Sequence, residues 1–267
     1  MRKNKHPKPK KQGLPPKTSI QNDETNESST TNTTPTPNTT QSCFPLDQVA
    51  KQQGCVTNKQ ELLFSLRNSP SCGLIIIDNF YTNAMDTREY VLTQPFTVRG
   101  NYPGQRTISY ATESLKQLIQ NYVFPFGGKI KEFHIPKADN SDAAEIYNGA
   151  FQYATARDRS WVHIDGFNNW AGVLYLTPDA PLSAGTSFYQ FHDGTRNKIE
   201  MDALNMKDQT DHWSQDFTKW ELVDRVGNLF NRLILFNSHR FHMSMDYFGD
   251  SKENSRLFQV FFFSTEF

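Results

Sequence analysis

The chain has 267 residues, with 28 basic and 28 acidic side chains, so its formal net charge is zero. A neutral body has no whole-surface grip on nucleic acid or an anionic membrane, and no apolar stretch approaches the ~20 residues that span a bilayer. Hydrophobic residues make up 36% of the chain and are unevenly spread, with 21 Phe as the main compositional feature.

Residues 1–42 carry only Met1, Leu14 and Ile20 as apolar side chains. The segment opens as the basic run "MRKNKHPKPKKQGLPPK" and continues as the low-complexity run "SSTTNTTPTPNTTQS". Such a stretch buries too little apolar surface to offset its ordering entropy, so a disordered tail is predicted. "KPKK" reads either as part of a solvated tail or as a nuclear or nucleic-acid-binding element; nucleic acid enters the reading only through this tail. Charge is present at the start but no apolar signal core follows it. Cys43, Cys55 and Cys72 are odd in number and lack metal-type spacing, which predicts reduced thiols in an intracellular compartment and no disulfide framework. Residues 43–267 are predicted to form one domain.

Within it, "LDQVAKQQG" and "NKQELLFSLRN" predict short helices, the first stopped by Gly54. "GLIIIDNF" is a continuous apolar run and predicts a buried strand. "NAMDTREYVLTQ" predicts a helix capped by Asn83, with Met85, Tyr90 and Val91 on one face and Pro95 beyond its end. "FTVRGNYPGQRT" predicts a loop turning at Pro103-Gly104. "ATESLKQLIQNYV" predicts a helix capped by Thr112, with Leu115, Leu118, Ile119 and Tyr122 sharing a face. From about Lys129 the segments are short, aromatic and β-branched: "IKEFHI", "GAFQYAT", "SWVHID", "GVLYLT", "TSFYQFH", "KWELVDRV", "RLILFNS" and "RLFQVFFF". That texture predicts an antiparallel sandwich or barrel, interrupted by a helical insertion over 200–217.

The chemistry concentrates in four residues. Side chains alternate along a strand, so His163 and Asp165 in "SWVHID" are expected on one face, able to chelate one ion. A third ligand must come from elsewhere, and "NRLILFNSHRFHMS" offers His239 and His242 just after an apolar strand. Two histidines and one carboxylate leave positions open on a divalent ion, the pattern of non-haem Fe(II) oxygenases. Arg256 opens the last strand, sharing a face with Phe258, Val260 and Phe262. An arginine there is costly unless paired, and a guanidinium forks onto a carboxylate through two parallel hydrogen bonds.

This order, His163-x-Asp165, then His242, then Arg256, resembles that of the Fe(II)/2-oxoglutarate-dependent dioxygenases, most closely the prolyl-hydroxylase-like branch and its uncharacterised relatives. "LIIIDNFYTNAMDTREYVL", "GNYPGQRT", "GVLYLTPDAPLSAGTSFY" and "FNRLILFNSHRFHMS" are similar to blocks of that group, so the likeness covers roughly residues 73–267. It implies a mainly β (α+β) fold, a double-stranded β-helix or cupin-like jelly roll braced by N-terminal helices. It implies Fe(II) on His163, Asp165 and His242, with the distal carboxylate of 2-oxoglutarate on Arg256. Tyr175 is a candidate helper for that carboxylate, with Asn231 and Arg232 open to structural roles, and ascorbate is a candidate activity-sustaining reductant. The implied reaction is hydroxylation of a protein side chain or small molecule, with release of succinate and CO2. Tyr102 or Arg106 would border the mouth. His192, with Asp193 adjacent, reads as a strand-end histidine, and His134 and His212 as structural or surface residues. Two rival readings stand beside this one: an inactive cupin-like binding module, and a metal-dependent dioxygenase that does not use 2-oxoglutarate.

Overall fold

The structure is a computed structural model and describes residues 59–67 and 72–267, all of which fall in one compact unit, Gly54–Phe267. The tail, the helix expected over 46–54, and Cys43 and Cys55 lie outside the described residues. Cys72 is a free thiol.

Five helices precede or interrupt the strands among the described residues, together with a 3-10 turn. They are α1 (Lys59–Arg67), α2 (Ala84–Thr93), α3 (Glu113–Gly127), and the insertion helices α4 (Lys198–Ala203) and α5 (Thr210–Trp213) with the turn Phe217–Lys219. The strands are β1 (Leu74–Ile77), β2 (Gln105–Ser109), β3 (Lys129–Phe133), β4 (Ala150–Ala154), β5 (Trp170–Tyr175), β6 (Thr186–Phe191), β7 (Trp220–Val226), β8 (Leu233–Asn237), β9 (His242–Ser244) and β10 (Arg256–Glu266).

These strands form two antiparallel sheets. The larger runs β1-β8-β5-β10-β4-β2, with β3 also paired to β10; the smaller runs β7-β6-β9. β10, eleven residues long, is the spine of the larger sheet. It pairs with β5 from Phe258↔Tyr175 to Phe263↔Trp170 and with β4 from Arg256↔Ala154 to Gln259↔Phe151. Its alternation divides the interior. Leu257, Phe261 and Phe263 join Val91 of α2 and Leu115, Ile119 and Val123 of α3 in one core cluster. Phe258 and Val260 face the smaller sheet, packing with Phe188 and Val226. The two antiparallel sheets agree with the sandwich that the segment texture predicts, and the jelly roll braced on its outer face by two helices is the architecture that the resemblance implies.

Four local expectations need correction. β1 is an edge strand with Ile76 47% exposed; an apolar run alone does not distinguish a central strand from an edge one. In α2 the buried face is Ala84, Arg88 and Val91, while Met85 and Tyr90 are exposed. Arg88 is accommodated because it donates to the carbonyls of Leu176 and Glu253. Asn83 precedes that helix without a side-chain cap bond. In α3, Tyr122 is 37% exposed and Val123 takes the buried position. That helix does start as expected, with the Thr112 hydroxyl accepting from Leu115 N at 3.2 Å. Two strands escaped the sequence pattern: β2, hidden in a polar stretch after a turn, and β9, only three residues long.

Asn231 and Arg232 hold the sheet to the segment before α2. Asn231 adopts φ 60°, and its side chain accepts from Tyr81 N at 2.9 Å and donates to Tyr81 O at 2.7 Å. Arg232 forks onto Asp78 at 2.6 and 3.0 Å and holds that carboxyl below its usual range. Asn231→Ala loses two hydrogen bonds and leaves in the left-handed region a residue that lacks the polar side chain by which asparagine tolerates it. It is expected to destabilise the fold by about 2–4 kcal/mol, measured as a lowered urea midpoint with an unchanged slope.

Candidate metal centre and its cavity

His163 and Asp165 do not lie on a strand. Residues 160–165 make one isolated bridge, His163↔His242. Val162 N donates to Ser214 O (2.8 Å), His163 N to His242 O (3.0 Å) and Asp165 N to Ser238 O (2.9 Å). Each backbone group therefore meets a different segment, and no ladder forms. The two side chains nevertheless converge, because the bridge and the Asp165–Ser238 bond hold them beside β9. His242 itself is fixed by its pairing with Phe188 of β6 and by donating to His163 O at 2.9 Å.

The result is a three-residue group. One ligand atom each from His163, Asp165 and His242 lies within 4.8 Å of the others. His163 Nε2 stands 3.7 Å from Asp165 Oδ1, and His242 Nε2 stands 3.1 Å from Oδ2. Each ring is oriented from behind: His163 Nδ1 lies 2.9 Å from Trp161 O and His242 Nδ1 2.8 Å from Arg240 O. A carbonyl only accepts, so both Nδ1 atoms carry hydrogen. In the neutral rings both Nε2 lone pairs then point at a carboxylate. That face of lone pairs is mutually repulsive unless a cation sits within it, and this is the fit a divalent ion requires. Burial, then the neighbouring His242 charge, pushes the His163 pKa down, which favours the neutral ligand form. For Asp165, burial is the largest influence and pushes its pKa up. The charge and hydrogen bond of His242, with His163 and Arg106, outweigh that and hold it below its usual value. His239 is not in the group.

The group opens into a cavity of about 890 Å³ between the two sheets. Its larger-sheet wall includes Gln152, Val173, Phe236, Phe258, Val260 and Phe262; Thr186 and Ser244 come from the smaller sheet, and Trp161 and Phe167 from the loop. Arg256 lies on this wall and is only 1% exposed. Its Nε donates to Ala184 O at 3.0 Å, while Nη1 and Nη2 are buried with no partner among the described residues. The guanidinium is banked by Phe258 (4.2 Å), Tyr175 (5.4 Å) and Tyr247 (5.9 Å). Two orphaned N–H groups on a buried cation form a cradle for a carboxylate. Tyr175 is fully buried and banks Arg256; its hydroxyl shares a 2.8 Å hydrogen bond with Thr186, and burial pushes its pKa up.

Arg106 and Tyr102 also line the cavity, as do Tyr147 and His134. Arg106 is 5% exposed, and its pKa is pushed down to about 10, chiefly by burial, so it stays cationic at neutral pH. Gln152 and Tyr147 carry no sequence signal of their own. They become visible only when β2 and β4 pair Arg106 with Gln152. His192 bonds Glu221 at 2.9 Å on the surface.

Fold and site together define a class: an antiparallel jelly roll with a His-x-Asp and distal His group between its sheets. The chain belongs to the family of unknown function DUF6445, whose model matches residues 66–245. The match contains Arg106 and the three-residue group; Arg256 lies beyond it. No curated protein matches the sequence. Among solved structures, the chain is similar to HygX from Streptomyces hygroscopicus with nickel and 2-oxoglutarate bound. That comparison has 12% identity, covers 78% of this chain and 87% of that one, and gives a TM-score of 0.47. It is also similar to a prolyl hydroxylase from Trichoplax adhaerens in complex with a hypoxia inducible factor peptide fragment (14%, 84% and 94% covered, 0.39). A Pseudomonas putida prolyl-4-hydroxylase gives 16% identity, 79% and 100% coverage and a TM-score of 0.35. Likeness at this level carries no weight for the chemistry, which is read from the side chains themselves. Among the described residues no helix is long and apolar enough to cross a membrane.

Proposed function

We propose that this protein is an Fe(II)- and 2-oxoglutarate-dependent dioxygenase that hydroxylates a protein side chain or small molecule. One observation carries the reading: a metal-ready His163–Asp165–His242 group and the orphaned guanidinium of Arg256 face the same cavity. Neither feature is comfortable alone, and a ferrous ion with a dicarboxylate would satisfy both. Bound iron would supply the O2 chemistry: one oxygen atom enters a substrate C–H bond and the other enters succinate as CO2 leaves.

The chain's own part is to hold and orient. His163 and His242 would present Nε2, each kept in that tautomer by a backbone carbonyl. Asp165 would add the third ligand atom and offset part of the ion's charge. Arg256 would receive the distal carboxylate of 2-oxoglutarate, and Tyr175 would keep that guanidinium banked from behind. The apolar wall of Phe258, Val260 and Phe262 would exclude water from the reacting centre.

The full chain, supplied with Fe(II), 2-oxoglutarate, ascorbate and air, is expected to form succinate and CO2. A screen of peptides and small molecules should then find a product heavier by one oxygen. If succinate fails to form at any iron concentration, the binding-module reading replaces this one. If an oxidised product forms without 2-oxoglutarate, the reading as an oxygenase independent of that acid replaces it.

A further inference from the structure

A second buried cation in the cavity is not used by the reading above. Arg106, on β2, stands directly opposite Gln152 on β4. Its Nε and Nη2 both donate to Gln152 Oε1, at 2.9 and 2.5 Å. The amide of Gln152 is itself oriented, because its Nε2 donates to Pro103 O at 2.5 Å. The planar head is stacked 3.7 Å from the Tyr102 ring centroid and 5.1 Å from that of Tyr147. Tyr102 is tied in turn to Val98 O at 2.9 Å.

This mount leaves one edge of the guanidinium free. Gln152 takes the side edge formed by Nε and Nη2, while the end edge formed by Nη1 and Nη2 meets no other acceptor among the described residues. Among the described residues no carboxylate lies within ion-pairing distance of it. A cation held rigidly on three sides and left open on its bidentate edge is built to receive a planar anion.

The charges of the site point the same way. Arg106 and Arg256 are cations, and among the described residues Asp165 is the one acid beside them. With a divalent ion and a doubly charged 2-oxoglutarate added, as in the proposed function on which this inference rests, one positive charge remains. Asp142, Glu145 and Asp211 also border the cavity. Glu145 and Asp211 are exposed, and Asp142 accepts from Lys137 N at 2.9 Å. None of them balances the inner charge.

We propose that Arg106 is a specificity-determining residue for the primary substrate, and that this substrate carries a carboxylate which docks on its Nη1–Nη2 edge between Tyr102 and Tyr147. The substrate class is therefore a carboxylic acid, either a small molecule or an acidic residue or C-terminus of a peptide.

The test uses the full chain with paramagnetic Mn(II) in place of iron and saturating 2-oxoglutarate, so that binding is read without turnover. The probes are hexanoate, 3-phenylpropionate and N-acetylglycinate, each paired with its primary amide, an uncharged near-isostere. Broadening of their proton NMR signals reports proximity to the metal. At least one acid is expected to bind at least tenfold more tightly than its amide. Arg106→Gln should abolish that preference, and Arg106→Lys, which keeps the charge and loses the fork, should cut it severalfold. Equal binding of acid and amide overturns the inference, as does no binding of any acid, or a preference that survives both substitutions. The wild-type comparison stands even if a variant fails to fold. The broadening of 2-oxoglutarate itself is read separately: if Mn(II) never broadens it, the proposed function falls as well. If 2-oxoglutarate binding is lost in Arg106→Gln and kept in Arg256→Met, the two arginines have exchanged roles and both readings are overturned.

Discussion

Arg256→Met is expected to make the ligand-free protein more stable and the 2-oxoglutarate complex far weaker. The two halves share one cause. Taking a guanidinium out of water costs several kcal/mol even after relaxation. Here it is offset by one hydrogen bond to Ala184 O and by the nearby rings, while two nitrogens stay unpaired. A methionine keeps most of the reach and volume without the charge. Ala184 O is not orphaned by the change, because Asn228 Nδ2 also donates to it at 3.1 Å. The unfolding free energy without ligand should rise by about 1–3 kcal/mol, the range seen when buried ionic groups give way to apolar ones. Affinity for 2-oxoglutarate should fall by at least about 10²-fold, since truncating one partner of a buried charge pair costs 3–5 kcal/mol. Urea unfolding with and without Mn(II) and 2-oxoglutarate reads both effects. A variant that is less stable than wild type, yet still stabilised by 2-oxoglutarate to the same extent, would show that the cradle has another purpose.

The same residue shows what could be read from the chain. The alternation of "RLFQVFFF" placed Arg256, Phe258, Val260 and Phe262 on one face, and all four do line the cavity. A long central strand obeys its period because both neighbours enforce it. The ligand pair is a different case. The expected shared face of His163 and Asp165 rested on a strand that does not exist, and the convergence comes from backbone bonds to β9 and to Ser238. A spacing of two suits either geometry, so the sequence pattern could not tell a strand from an irregular segment pinned at several points. The choice of His242 over His239 depends on the short β9, which three residues of sequence do not announce. Arg106 is weakly signalled, because "GNYPGQRT" suits a plain turn as well as a cavity mouth. Its importance depends on pairing with Gln152, and long-range register leaves no local mark. Gly104 is what lets β2 begin there: its φ is +75°, and a β-carbon would sit 1.9 Å from Tyr153 O.

Asp165→Asn carries the largest expected loss of metal binding. The carboxylate is the one anionic member of the group, and its two oxygens face both Nε2 atoms. An amide of the same shape removes the charge that draws a divalent ion in. It also offers an N–H donor to a histidine lone pair, which relieves the metal-free site. Affinity for Mn(II) or Zn(II) should therefore fall by more than about 10²-fold, beyond what loss of an outer-shell partner costs. The metal-free protein should be no less stable than wild type. At a metal concentration about 1,000 times the wild-type Kd, bound metal stabilises the native state by about 4 kcal/mol. In Asp165→Asn and in His242→Ala that stabilisation, read as a shift in the unfolding midpoint, should fall to about 1.4 kcal/mol or less, because the same metal concentration is then no more than about ten times the weakened Kd. His239→Ala is the matched control. It removes an imidazole whose Nδ1 is buried without a partner and which lies outside the three-residue group, so the metal-induced shift should persist. If His239→Ala abolishes the shift and His242→Ala preserves it, the distal ligand has been misassigned. If the shift persists undiminished in all three variants, the ion binds somewhere other than between the sheets.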